Sequence, residues 1–411
     1  MEGFFVLVAA FNYSFGVLLS YITDWDQSTV LRIIAVFIVV FSVLEFRLGY
    51  KKKGISYQGK KTFKRMWYLI IIILVGFLIT IITNRYLSSM MTTYLLNFGT
   101  RAISGVFLGI ALLNNNLIEK TEKCIEPFCI FYSLLLFFVV SSNIGNSINS
   151  FEIDRQTLSY SGAFSLALLF HLNYNYDEVR KYRLFSYPFF KWINYGLIII
   201  NSYTILAGGG RGASILAFLI FLYYIRKLFK RHNRRGLVLG VLLFVGGIFS
   251  LYMLTNVSAI SVGSNYIIRS FTNRFSDQSS QGRIELWIKA FDYAKKSFFL
   301  GSGAGSTAYN VGFYTHNIFI DFLVEFGIWG IVLLVWILVI VLKKSLRFSS
   351  VYYGMDFLFI LFLCSFIMLL FSGSWYTEAN LWISVTGIMG FEVCNDKKKS
   401  RRQRRASRFY F

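Results

Sequence analysis

Residues 317–342 read NIFIDFLVEFGIWGIVLLVWILVIVL and run straight into Lys343 and Lys344. A helix rises 1.5 Å per residue, so about 20 apolar residues cross the roughly 30 Å hydrocarbon core of a bilayer. This run is long enough with residues to spare, and two lysines close it as cytoplasmic charges do. Its first turns carry Asn317, Asp321 and Glu325 at i, i+4 and i+8, on one face of an otherwise apolar helix. Such a stripe within a membrane helix faces a cavity and not lipid, so these three are candidate substrate-binding residues.

The rest of the chain follows the same pattern. Of its 411 residues 56% are hydrophobic and 15% charged, and the mean hydropathy is +0.57. Bilayer lipid is the solvent such a composition requires. Further apolar runs lie at about 4–22, 29–46, 66–83, 92–113, 124–142, 157–174, 186–207, 212–225, 236–255, 354–372 and 377–394. With 317–342 they predict an all-α, polytopic membrane protein of about twelve transmembrane helices, one domain over residues 1–411. Only 2 prolines occur, in keeping with long unbroken helices. Barrel strands are short and alternating, which excludes a β-barrel. Residues 4–22 have no cationic leader before them and no clear cleavage site after, so the run reads as a retained helix. The four cysteines, Cys124, Cys129, Cys364 and Cys394, lack metal-ligand spacing and read as packing residues.

The net charge of +22 is spread between apolar runs and does not form one solvated face, which argues against nucleic acid. Alternate loops collect the basic residues: Lys51 to Arg65, Arg180 to Arg183, Arg226 to Arg235, the stretch from Lys343, and the tail at 395–411. These loops read as cytoplasmic and both termini fall inside. Asp24, Asp26, Glu152 and Asp154 fall on the opposite face.

One long loop, 257–316, is then extracytoplasmic and the place for chemistry. Within it Ile284, Trp287, Phe291, Ala294 and Phe298 form an apolar stripe opposite Lys289, Lys295 and Lys296, which predicts an amphipathic helix lying on the membrane surface. Gly301, Gly303 and Gly305 follow. No βαβ unit surrounds them, so they read as a tight turn rather than a dinucleotide loop, although exposed amides in such a turn also suit a phosphate. His316 stands just before the 317–342 run, whereas the other two histidines, His171 and His232, map to the cytoplasmic side.

Two arginines accompany His316 on the outer face, where the positive-inside rule does not place them. Arg211 lies in Ala-Gly-Gly-Gly-Arg-Gly-Ala, with Gly210 and Gly212 leaving room for a bulky diphosphate, and Arg283 opens the amphipathic helix as Gly-Arg-Ile-Glu-Leu-Trp. Arg274 in the same loop, and Arg101 within a span, complete the cationic candidates for substrate binding. Arg32, also within a span, is a second costly placement that would line the same cavity.

Taken in order, Gly-Arg-Gly after an apolar helix, Gly-Arg with a following Trp, a Gly-x-Gly-x-Gly turn, and His-Asn leading into Leu-x-Glu-x-Gly-x-x-Gly resemble the O-antigen ligase and polymerase superfamily. The resemblance covers about residues 200–340. It implies a helical fold of the glycosyltransferase C type and transfer of glycans from undecaprenyl diphosphate at the outer face of the membrane. It also implies that Arg211 and Arg283 bind the diphosphate, that His316 activates or orients the acceptor hydroxyl, and that Asn317 orients His316. The chain departs from the commoner pattern at Gly210, where a serine often precedes the arginine.

A diphosphate is already a good leaving group, so charge stabilisation and one modest base suffice. No external Asp-x-Asp cluster is present to hold Mg²⁺, and the expectation is metal-independent transfer with inversion, without a cofactor. The expected partners are the undecaprenyl-diphosphate-linked glycan donor and acceptor, membrane lipid, a chain-length regulator and a flippase. A composition rich in Lys, Asn, Ile and Tyr favours a polymerase of O-antigen or capsular repeats. A ligase passing glycan to lipid A core or protein is the second reading, and a lipid-linked oligosaccharide flippase the third. A flippase is expected to show repeated halves, whereas here the distinctive polar residues converge in the second half of the chain.

Overall fold

Apolar sequence with little proline gives helix after helix. The computed structural model describes residues 2–53, 57–84, 89–113, 115–142, 155–174, 188–208, 210–230, 278–312, 314–349 and 352–391. In chain order the elements are α1 (Glu2–Ala10), α2 (Asn12–Thr23), α3 (Gln27–Lys53), α4 (Tyr57–Asn84), α5 (Ser89–Asn97), a π-helical turn (Phe98–Ile103) and α6 (Ser104–Ala111). They continue with α7 (Asn115–Ser142), α8 (Arg155–Tyr174), α9 (Pro188–Gly208), α10 (Arg211–Lys230), α11 (Gln278–Lys296) and α12 (Ser306–Val311). The last three are α13 (Ile318–Phe348), α14 (Tyr353–Phe371) and α15 (Ala379–Gly390), and no strand occurs among the described residues.

The outward faces of the long helices are apolar. Ile33, Val36 and Val40 of α3 and Ile72, Val75 and Leu78 of α4 are all exposed, an arrangement that a bilayer stabilises and water does not. Six helices among the described residues are long and apolar enough to cross a membrane: Gln27–Leu48, Gly59–Thr83, Met91–Ala111, Leu117–Val140, Ile318–Phe348 and Tyr353–Phe371. The pair α1 and α2 makes a seventh if counted as one span. Helices α8, α9 and α10 have 20, 21 and 20 residues, sufficient length on a more polar sequence. The run at 236–255, His232, Arg274, Cys394 and the tail at 395–411 lie outside the described residues.

Two of the expected twelve spans change character. The first run is broken, with α1 and α2 meeting at 94°. The last becomes α15, which has 12 residues. At 1.5 Å per residue this is well short of the bilayer core, and α15 is buried among α4, α6, α13 and α14. Hydropathy marks a segment that avoids water, and the interior of a protein satisfies that as well as lipid does. Lys344, expected as a cytoplasmic loop charge, instead caps α15 by donating to the carbonyls of Met389 at 2.8 Å, Phe391 at 3.1 Å and Ile388 at 3.3 Å.

Helix α13 is interrupted at Gly327 (φ 67°, ψ −157°). The break releases backbone groups that hydrocarbon cannot hydrate. The glycine turn satisfies them: Ser302 N–H donates to Val324 O at 3.1 Å, Gly303 N–H to Glu325 O at 2.9 Å, and Ile328 N–H to Phe299 O at 3.0 Å. Gly301 and Gly303 have φ of 89° and 92°, and a Cβ on Gly301 would stand 2.6 Å from Gly327 N. Only glycine permits this insertion.

At the end of the bundle remote from the glycine turn, the basic side chain of Lys227 is buried and not in a loop. Its Nζ lies 2.6 Å from Asp356 Oδ1, and Asp356 Oδ2 lies 2.9 Å from His171 Nδ1. His171 Nε2 lies 2.8 Å from Glu122 Oε1. This cluster bolts α7, α8, α10 and α14 together at the ends remote from the glycine turn. Arg32, by contrast, is exposed on α3 and lines no interior site. Cys129 and Cys364 are buried free thiols, in keeping with a packing role.

Candidate functional site

The ends of α4 and α14 and the starts of α8, α10 and α13 gather at one end of the bundle. There the segment 314–317 forms a short clamped loop. Asp321, 3% exposed, accepts from Thr315 N–H at 2.9 Å and from Thr315 Oγ1 at 2.8 Å. Asn317 caps α13, its Oδ1 accepting from Phe319 N–H at 3.0 Å and Ile320 N–H at 3.4 Å. From the other side, Trp287 Nε1 of α11 donates to Thr315 O at 2.9 Å. Held between these, His316 adopts φ 59°, a conformation that costs a non-glycine residue about 1–3 kcal/mol and persists where its surroundings enforce it. Its ring meets Tyr314 edge-on, with centroids 4.5 Å apart.

Asp321 and Asn317 therefore brace the His316 loop, and the expected polar stripe is a scaffold for that histidine more than a wall of the cavity. Glu325, 2% exposed, acts in the same way a turn further along the helix. It lies against Tyr376, Thr307 and the Gly305 amide, and Gly305 N–H donates to Tyr376 Oη at 2.7 Å. With Ser302 and Gly303 engaged on α13 as well, the amides expected for a phosphate are already committed to protein.

Helix α11 shows two apolar faces. Ala290 and Ala294 are fully buried against Val324, whereas Ile284, Ile288 and Phe291 are exposed, as is Phe298 just beyond. The helix docks on α13 and still offers an apolar stripe outward, where the sequence pattern had one face only. Arg283 sits one turn before Trp287, on the same side of α11.

Arg211 is the first residue of α10 and is exposed. Its guanidinium shares a patch with the first-turn amides, which an α-helix leaves without intrahelical partners. The neighbouring glycines serve packing. Gly210 N–H donates to Ser159 Oγ at 2.8 Å, and a Cβ on Gly212 would overlap the Tyr160 hydroxyl. Tyr160 joins the two arginine regions, since its hydroxyl also lies within the field of Arg283. Trp287 thus links α11 to the His316 loop, Arg283 of the same helix acts through its charge on the Tyr160 hydroxyl, and Tyr160 packs beside Gly212, next to Arg211.

Arg101 is 7% exposed in the π-helical turn, its guanidinium 5.9 Å from the Tyr13 ring. The acid facing it is Glu378, which sequence reasoning passed over. Glu378 ends the segment Ser372-Gly373-Ser374-Trp375-Tyr376-Thr377-Glu378, which covers the gap between the apolar runs 354–372 and 377–394 and the first two residues of the second. In the structure that segment is a plug, with Trp375 and Tyr376 each 1% exposed. Burial raises the Glu378 carboxyl to about 7, against the opposing influence of Arg101 and a hydrogen bond from Thr377. The available signal was an acid two residues after a Trp-Tyr pair at an outer boundary.

Among the described residues no group of three or more His, Cys, Asp or Glu side chains is arranged to hold a metal ion. Comparison with curated proteins and with solved structures found no match. Residues 196–335 match the family model Wzy_C, described as O-antigen ligase. That segment contains α10, α11, the glycine turn, the His316 loop and the first half of α13, and over it this multi-pass membrane protein is similar to the O-antigen ligase family.

Proposed function

We propose that the chain is a glycosyltransferase at the outer face of a bacterial cytoplasmic membrane, polymerising oligosaccharide repeats carried on undecaprenyl diphosphate. The observation that carries this reading is that Trp287 ties α11, which bears Arg283, to the His316 loop, while Tyr160, within the field of Arg283, packs beside Gly212 next to Arg211. Arg211 and Arg283 bind the donor diphosphate. The acceptor hydroxyl oxygen, oriented by His316, forms a bond to the anomeric carbon from the face opposite the leaving group, and the configuration inverts. The bond from that carbon to the diphosphate oxygen breaks, and its electron pair stays on the diphosphate, where two guanidinium groups stabilise it without a metal ion. The hydroxyl proton passes to a base of the site. The donor is delivered by a flippase and the product length is set by a separate regulator.

Ligation of finished glycan to lipid A core or protein is the second reading, favoured by the description of the matching family. Both are tested by the size distribution of surface polysaccharide in cells whose only copy carries Arg211→Ala, Arg283→Ala or His316→Ala at normal membrane levels. Single repeats with long chains lost mark a polymerase. Long chains retained on the lipid carrier mark a ligase, and unchanged polysaccharide in all three contradicts both.

A further inference from the structure

The apolar stripe of α11 divides in the structure. Turning about 100° per residue, the helix presents three faces roughly a quarter-turn apart. The first, with Ala290 and Ala294, is buried against Val324 of α13, and Trp287 on the same side donates to Thr315 O at 2.9 Å. The second, with Ile284, Ile288 and Phe291, is apolar and exposed. The third carries Glu285, Lys289, Asp292 and Lys296 and is exposed as well.

The exposed apolar face does not end with the helix. Beyond it Phe298 is 84% exposed and Leu300 69%, and Phe299 O accepts from Ile328 N–H at 3.0 Å. Ile328 and Trp329, the latter 71% exposed, stand on the outward side of α13, within a stretch long and apolar enough to cross a membrane. One apolar surface thus runs from α11 over the turn and onto a membrane span, and lipid that touches Trp329 continues onto it. Phe298 and Phe299 hold that surface at φ of 51° and 56°. In water this backbone strain would add to the cost of an exposed phenylalanine, whereas in lipid the side chain is stabilised. Charge is arranged for the same partner. Lys295, at the end of the apolar face, lies 3.8 Å from Asp292 of the polar face, so its stem runs along hydrocarbon while its ammonium stays with the polar groups. The polar face pairs two acids with two lysines, so burial of apolar area, and not attraction to anionic headgroups, is what seats the helix.

We propose that α11 is seated in the outer leaflet, with its Ile284, Ile288 and Phe291 face among phospholipid acyl chains and its Glu285 and Lys289 face in water, and that this seating holds Arg283 at the depth of the lipid phosphates. The consequence for Arg283 rests on the glycosyl-transfer reading above. A diphosphate borne by a membrane lipid lies at that depth, so the guanidinium meets it without the lipid leaving the bilayer. Because Trp287 of the same helix holds Thr315, α11 ties the depth of the donor to the position of the His316 loop.

The test uses full-length protein carrying Cys124→Ser and Cys394→Ser, with the buried Cys129 and Cys364 left in place, in vesicles of phosphatidylethanolamine and phosphatidylglycerol. A nitroxide is attached through Ile288→Cys or Phe291→Cys and, for comparison, through Lys289→Cys or Lys296→Cys. Its relaxation by oxygen and by a water-soluble nickel chelate is then measured. Oxygen is expected to dominate at positions 288 and 291, as for a group in hydrocarbon, and nickel at 289 and 296. Equal nickel access at all four overturns the proposal. So does a label at 288 and 291 that is shielded from both reagents, which marks a covering protein. Transfer from lipid-linked glycan is the second readout. Ile288→Asp combined with Phe291→Asp is expected to raise the KM for the donor about tenfold or more, the worth of one charge-assisted hydrogen bond, while Lys289→Gln leaves it unchanged. An unchanged KM in the double variant overturns the role given to the depth of Arg283. The spin-label contrast does not depend on activity, so wild type that shows it and transfers nothing contradicts the glycosyl-transfer reading and leaves the seating of α11 standing.

Discussion

Around Asp356, at the end of the bundle remote from the His316 loop, Lys227 at 2.6 Å, Tyr223 at 2.5 Å and His171 at 2.9 Å all converge on one carboxylate, and His171 carries Glu122 on its other nitrogen. Around Glu378, at the opposite end, Arg101 and Tyr160 act through their fields and no ion pair forms among the described residues. With a carboxylate on each ring nitrogen, His171 is placed to donate twice, so two acids meet two cations and the Asp356 cluster closes on itself. The Glu378 cluster is left open. Buried charge of the first kind holds helices together, and buried charge of the second kind is poised for a ligand.

The comparison breaks first at the Asp356 end. Asp356→Ala strands Lys227 and His171 in the interior, and the expected loss of stability is about 3–5 kcal/mol, read as a fall in the unfolding midpoint of the purified protein. The double change Lys227→Met with Asp356→Leu should cost less than the sum of the two single changes, because the pair is removed together. Destabilisation of that size by Glu378→Gln would erase the distinction between the two ends.

Smaller effects sharpen it. Asp321→Ala removes the two bonds that Thr315 donates to Asp321, at about 1–3 kcal/mol. It should lower transfer far more than a stability loss of that size explains, since a misplaced reacting group costs about 10²-fold per ångström. Thermal midpoint and transfer rate, measured on one preparation, separate the two. Asn317→Ala removes only a helix cap and should cost about 1 kcal/mol, with transfer reduced in proportion to the looser loop.

Much of this was legible in the sequence. The apolar runs and the lysines that close them gave the helical membrane class, and the i, i+4, i+8 spacing placed Asn317, Asp321 and Glu325 together at the outer end, next to His316. What those residues do was not legible, because spacing shows a shared face and not the partner across it. Asp321 turns back to Thr315 and Glu325 to the plug, and both partners come from segments with no period of their own. Gly327 looked like one glycine in an apolar run. Its role follows from the glycine turn that enters the break in α13, an insertion between residues distant in sequence from α4 and the plug that also hold it. Glu378 was missed for the same reason, since its neighbours Arg101 and Tyr160 lie more than 200 residues away in the chain.

The central claim is that the outer end performs glycosyl transfer from a lipid diphosphate with His316 at its heart. It is tested most directly by reconstituting wild type and His316→Ala in liposomes with lipid-linked glycan and counting free lipid diphosphate against glycan transferred. The account predicts one lipid diphosphate released per glycan transferred by wild type and neither product with His316→Ala. Equal transfer by the two proteins, or none by wild type, would contradict it.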